Sequence, residues 1–243
     1  MANKPKAQKA QDRDRRSKVE AMRREQQARE RRKSLLFIVL AVVVGLGIVA
    51  AAAVPSILKS RNDPAKKALS SFGVAADAAD CSDIQIKEGT NTEATRTHVE
   101  NGTVEKYDTV PPSYGPHWGT PVFPARTFYT ARDRPQIEQL VHNLEHGYTI
   151  LWYDDTIEGK QLDTLKDLAA SAANSDMAGP GNKFIASAWN TAYGAFPSGK
   201  HLGISHWGAK DSGIQLCGKV SGAAVQAFMK KFPASDAPEP NAQ

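Results

Sequence analysis

Cysteine is scarce in this 243-residue chain: only Cys81 and Cys217 occur, with no Cys-x-x-Cys pair, so dithiol redox chemistry has no support. A Gly-x-Ser-x-Gly elbow, a phosphate-binding loop and a dinucleotide fingerprint are also absent, which leaves ordinary nucleophilic and nucleotide chemistry without a sequence basis. No internal repeat is visible. The composition, 41% hydrophobic and 23% charged, excludes collagen-like, fully disordered and polytopic classes and fits one globular domain with appendages.

The net charge of +5 is unevenly placed. Met1 to Lys33 holds 13 basic and 5 acidic residues, whereas the remaining 210 hold 18 and 21, so the basic character belongs to the first 33 residues. Next comes the one long apolar run, Leu35 to Val54, 20 residues without a charge or strongly polar side chain. As a helix it spans about 30 Å, the thickness of a bilayer's hydrocarbon core. The 33-residue basic stretch in front of it is too long for a secretory signal. Cleavage after Ala51 to Ala53 is the weaker alternative.

Positive charge on the cytoplasmic side puts residues 1–33 inside as a basic arm, 34–58 in the membrane and everything from about Lys59 outside. The arm lacks glycine from Ala7 to Lys33, and Asp12/Arg16, Glu20/Arg24 and Glu25/Arg29 stand at helical spacing, as in a charged helix. With no interleaved aromatics, it reads as a topology signal lying on anionic lipid, and nucleic acid is not expected as a partner.

Pro55 should close the span, residues 59–80 should form a juxtamembrane linker, and the compact extracytoplasmic domain should run over 81–232. The Pro-rich polar tail, 233–243, reads as disordered. On the oxidising side of a membrane a lone cysteine pair is expected to be bridged. A Cys81–Cys217 bond would close a 136-residue loop, for which chain entropy suggests about 4–5 kcal/mol at most.

Within the outer domain, Ile137, Leu140, Val141 and Leu144 fall at i, i+3, i+4 and i+7 between Pro135 and Gly147, which predicts an amphipathic helix with a glycine cap. Tyr148 to Tyr153 is apolar or aromatic on both alternating faces, as in a central strand covered on two sides. A second helix is marked by Leu162, Leu165, Leu168 and Ala172. Strands are expected at Thr103–Tyr107, Phe184–Trp189 and Leu202–Trp207, and a last helix is capped by Ser221. The fold class is therefore α+β: one transmembrane helix, then a small domain with a mixed β-sheet packed by helices.

All six histidines follow the apolar run. In the segment HNLEH, His142 and His146 stand at i and i+4, a spacing that sets two imidazoles on one helical flank and can chelate an ion. The pair lies roughly 160–170° around the helix from the apolar stripe. It must therefore face solvent or be covered by another piece of chain.

One such piece is the stretch from Tyr107 to Pro124, with seven Pro or Gly among its last 14 residues. It is a stiff loop that presents Tyr114, His117 and Trp118. His117 placed against the pair makes a three-nitrogen site, with His98 as a fourth candidate and Glu145 on the same flank. Imidazoles suit zinc or copper.

HNLEH also matches the inverted zinc-protease pattern HxxEH, but the only glutamate after Glu158 is Glu239, in the tail. His206 shares a strand face with Leu202 and Ile204 and reads as a hydrogen-bonded core histidine. His201 reads as solvated, and Trp152, Trp189 and Trp207 as core.

PPSYGPHWGTP, followed about 20 residues later by LVHNLEHGYTILWY, resembles the domain-of-unknown-function 3105 family, across roughly residues 81–230. Tyr114 stands where the family pattern often has serine. The resemblance implies a single-pass bacterial protein with its domain outside, and a recurring set of His98, His117, His142, Glu145 and His146, without an established activity. The expectation is thus a membrane-anchored protein binding copper or zinc through His117, His142 and His146, with His98 or Glu145 assisting, and with no catalytic residues assigned. The alternatives are a cell-envelope scaffold that meets a protein partner through the Tyr114–Trp118 loop, and a metal-dependent hydrolase with Glu145 as base.

Overall fold

The computed structural model describes residues 6–242, in two units that divide at Arg61 and Asn62. The described part of the first unit is helical throughout, within α1 (Lys6–Asn62), a helix of 57 residues that ends on the first residue of the second unit. It is the one helix among the described residues long and apolar enough to cross a membrane, with an 18-residue window of mean hydropathy 3.0 and its apolar side chains exposed. An exposed i,i+4 ion pair, Asp14 with Lys18 at 3.0 Å, sits on the basic arm. Contrary to expectation Pro55 does not end the helix but lies inside it, seven residues before its end.

The second unit contains β1 (Gln85–Glu88), β2 (His98–Val99), β3 (His117–Trp118), β4 (Phe128–Tyr129), α2 (Ile137–Glu145) and β5 (Thr149–Tyr153). These are followed by α3 (Gly159–Ala173), β6 (Phe184–Ala188), β7 (Leu202–Trp207), β8 (Asp211–Cys217) and α4 (Gly222–Lys231). Six strands form one mixed sheet in the order β1-β8-β7-β5-β6-β4. The β1/β8, β8/β7 and β7/β5 pairs are antiparallel, while β5/β6 and β6/β4 are parallel. The fold is α+β, with β5 central. The β5–α3–β6 crossover supplies the long connection that a parallel pair requires.

Side-chain alternation along β5 explains why it reads as apolar throughout. Leu151 and Tyr153 join one core with Leu165 and Leu168 of α3 and Val225 and Phe228 of α4. Ile150 and Trp152 join the other, with Ile137, Leu140, Val141 and Leu144 of α2 and with Trp189 and Trp207. The helices therefore lie on both faces, α2 alone on the side that carries the histidines. Gly147, at φ 91°, ends the α2 turn as its position after the stripe predicts.

Three local expectations change. Thr103–Tyr107 is irregular rather than a strand, because Glu105 N–H donates to the buried Glu138 carboxylate instead of to a neighbouring strand. The compact unit begins before Cys81: Leu69 and Phe72 are buried beside α4, and Gly222 N–H donates to Phe72 O at 2.8 Å. Residues 233–242, expected to be disordered, instead pack back as a strap with Ala234 and Ala237 buried. Short, aperiodic segments of this kind carry no local signal, and contacts made elsewhere in the fold order them. Cys81 and Cys217 are bonded, tying the chain ahead of β1 to the end of β8.

Candidate metal centre

Backbone pairing brings the first two histidines together. β2 and β3 are parallel, with His98 in register with His117 and Val99 with Trp118, and His117 N–H donates to Thr97 O at 3.1 Å. The proline-rich loop is held against the sheet at Gly203 of β7, where a Cβ would come within 2.7 Å of the Pro111 ring. Its far end is clamped by the Asn of HNLEH. Asn143, fully buried, accepts from Val122 N–H at 3.0 Å and donates to Val122 O at 3.1 Å. The loop is thereby fixed over the α2 flank that bears His142 and His146.

The rings pack closely. His98 stacks on His142 with centroids 4.8 Å apart, and His117 lies 4.7 Å from His142 and edge-on to Trp207. His117 Nδ1 is 2.8 Å from Gly115 O and His142 Nδ1 is 2.6 Å from Trp118 O. A carbonyl only accepts, so both Nδ1 atoms carry the proton and both Nε2 atoms are left to face inward. His117 Nε2 meets Glu145 Oε2 at 3.0 Å, His98 Nε2 lies 3.7 Å from the same oxygen, and His142 Nε2 lies 3.0 Å from His146 Nε2.

One ligand atom from each of His98, His117, His142 and Glu145 lies within 4.8 Å of the others, a set that could hold a metal ion. Three of the four are buried, while His98 is exposed at the mouth. His146 falls in an adjoining set with Glu145 and Glu239. The inner set thus differs from the three-nitrogen arrangement expected from spacing: His98 takes the place given to His146.

The family model described as "Protein of unknown function (DUF3105)" matches residues 98–243. The chain belongs to the DUF3105 family. No curated protein and no solved structure matches it. The DUF3105 match begins at His98 and reaches through the strap, so it takes in every member of both residue sets.

Electrostatics keep the DUF3105 cluster ready for a cation. Burial lowers the His142 imidazole to about 4, its bond to the Trp118 carbonyl opposing and the neighbouring histidines adding, so the ring is neutral at pH 7. Burial pushes the Glu145 carboxyl up, but the bonds from His117 and Arg96 outweigh it and hold it at about 2. Glu145 is therefore a carboxylate. Arg96 Nε donates to Glu145 Oε1 at 2.7 Å and its Nη2 donates to Glu239 Oε1, so one guanidinium bridges the two carboxylates.

Arg96 and Glu239 escaped the sequence reading. Arg96 lies outside any motif, and Glu239 sits in a Pro-rich tail, although it is the only glutamate beyond Glu158. His206 is buried as expected, with Nε2 2.9 Å from Asp236 O. Trp152, Trp189 and Trp207 are core residues. His201 is not simply solvated, since its Nδ1 lies 2.9 Å from Asp154 Oδ2.

Proposed function

We propose that this is a membrane-anchored, extracytoplasmic transition-metal binding protein with His98, His117, His142 and Glu145 as ligands of zinc or copper, assisted by His146. One observation carries the reading. Two imidazoles whose Nδ1–H groups are spent on backbone carbonyls turn their Nε2 atoms inward beside a carboxylate, and in the metal-free chain a proton shared between His117 Nε2 and Glu145 Oε2 stands where a cation would. Acceptors that converge in this way need a cation between them or a proton on one of them. A histidine oriented through its second nitrogen is also the usual outer shell of a metal ligand.

The basic arm supports placing the N-terminus in the cytoplasm against anionic lipid, with the second unit outside, where the Cys81–Cys217 bond is stable. In that compartment the metal is cargo, and surface copper handling is the more concrete form of the proposal. Binding is favoured over hydrolysis because Glu145 has both oxygens engaged and lies near 2, far below the range of an effective general base at neutral pH.

The test is the metal content of the full chain purified in detergent, beside His117→Ala and His142→Ala. The proposal expects one zinc or copper per wild-type chain and loss in both variants. Equal content in all three would refute it and leave an envelope scaffold.

A further inference from the structure

The inner ligand set leaves out one carboxylate that the fold takes trouble to deliver. We propose that Glu239, carried in by the strap of residues 233–242, is an additional ligand-bearing residue of the same centre, so that metal uptake and strap docking form a single linked equilibrium. This rests on the metal-binding reading above and extends it to a residue more than 90 positions from HNLEH.

The strap is anchored on both sides of Glu239. On one side Asp236 O lies 2.9 Å from His206 Nε2, and Ala234 O lies so close to Gly147 that a Cβ there would approach it to 2.3 Å. On the other, the buried Lys183 ammonium donates to Pro240 O at 2.6 Å and Ala242 O at 3.0 Å, and also to His146 O at 2.7 Å. A buried ammonium that spends its donors on three carbonyls is a latch between the strap and the end of α2. Between these anchors Glu239 N–H donates to Glu145 O at 3.0 Å, joining the strap backbone directly to an inner ligand residue.

So held, the Glu239 carboxylate places Oε2 3.7 Å from His146 Nε2, and one ligand atom from each of Glu145, His146 and Glu239 lies within 4.8 Å of the others. Glu145 belongs to both sets. A cavity of about 500 Å3, lined by Arg96, His98 and Glu239 among others, opens onto this side of the cluster. An incoming cation therefore meets Glu239 before the buried imidazoles. The Arg96 guanidinium, on a flexible and partly exposed stem, balances Glu145 and Glu239 until the cation does so.

By linkage, whatever factor the strap adds to metal affinity, the metal returns to strap docking. The experiment uses the full chain in detergent with Zn2+ as probe. Affinity is read by chelator competition for wild type, Glu239→Gln and Lys183→Met, and hydrogen exchange of residues 233–242 is read with and without Zn2+. Glu239→Gln should weaken zinc by at least about 10–100-fold, the range for losing a residue that only supports the ligands. Lys183→Met, which removes the latch but no ligand atom, should also weaken it. Zinc should slow exchange of the Glu239 amide in wild type and much less in Glu239→Gln.

Equal zinc affinity in wild type and Glu239→Gln, or strap exchange indifferent to zinc, would overturn the inference while leaving the inner site intact. A wild-type chain that takes up no zinc would overturn the metal reading itself, and this inference with it.

Discussion

Asn143→Leu isolates the residue that locks the histidine loop onto α2 without touching a ligand. Leucine keeps the number and branching of asparagine's side-chain heavy atoms, though its methyl groups are bulkier, and both bonds to Val122 are lost. Each costs about 1 kcal/mol net, and the Val122 N–H and C=O left without partners cost about 1–3 kcal/mol apiece if fully buried. Val122 is only half-buried, so water recovers part of that, and the expected loss is about 2–4 kcal/mol. All four tryptophans lie in the second unit, so denaturant unfolding followed by tryptophan fluorescence reads that unit alone. The loop that relaxes also carries the Trp118 carbonyl orienting His142, so zinc affinity should fall at least about tenfold. A variant as stable as wild type within about 0.5 kcal/mol, binding zinc equally well, would refute the argument that Asn143 positions the loop.

Other outcomes follow from the same contacts. His142 titrates near 4 when folded and near its ordinary value when unfolded, so the unfolded state takes up the proton first as pH falls. The metal-free protein should lose up to about 3 kcal/mol between roughly pH 6.5 and 4, a slope that His142→Gln removes in denaturant titrations. Glu145, held near 2, contributes stability that is present above its ordinary range and lost as pH falls from about 4.5 to 2, so Glu145→Gln should flatten acid unfolding there. The same variant should lose bound metal by elemental analysis, since it removes the one carboxylate shared by both residue sets. Replacing Cys81 and Cys217 by serine should cost about 2–5 kcal/mol in denaturant unfolding, and reductant should have the same effect on wild type only.

Much of this molecule was legible in the order of its residues because the governing physics is local. A 20-residue apolar run is long enough to cross a membrane as a helix, and α1 leaves it exposed. The 3.6-residue stripe of α2, the glycine that ends it and the doubly apolar β5 each follow from neighbours a few positions away. So does the i,i+4 pairing of His142 and His146, whose rings lie 4.5 Å apart. Even the covering loop was foreseeable, since prolines and glycines at that density stiffen and turn a chain.

What only the tertiary structure decided is which side chains complete the cluster. The parallel register of two two-residue strands puts His98 beside His117, and strands that short leave no periodic trace. Arg96 meets Glu145 across 49 positions and Glu239 across 143, through single contacts that composition cannot announce. The Pro-rich tail has the makeup of a disordered segment because it buries only two alanines of its own. It is ordered by what the rest of the fold offers: the Lys183 ammonium, the His206 ring and the space above Gly147. Local sequence encodes a segment's preference, whereas the partners that satisfy its backbone lie wherever the sheet and helices happen to bring them.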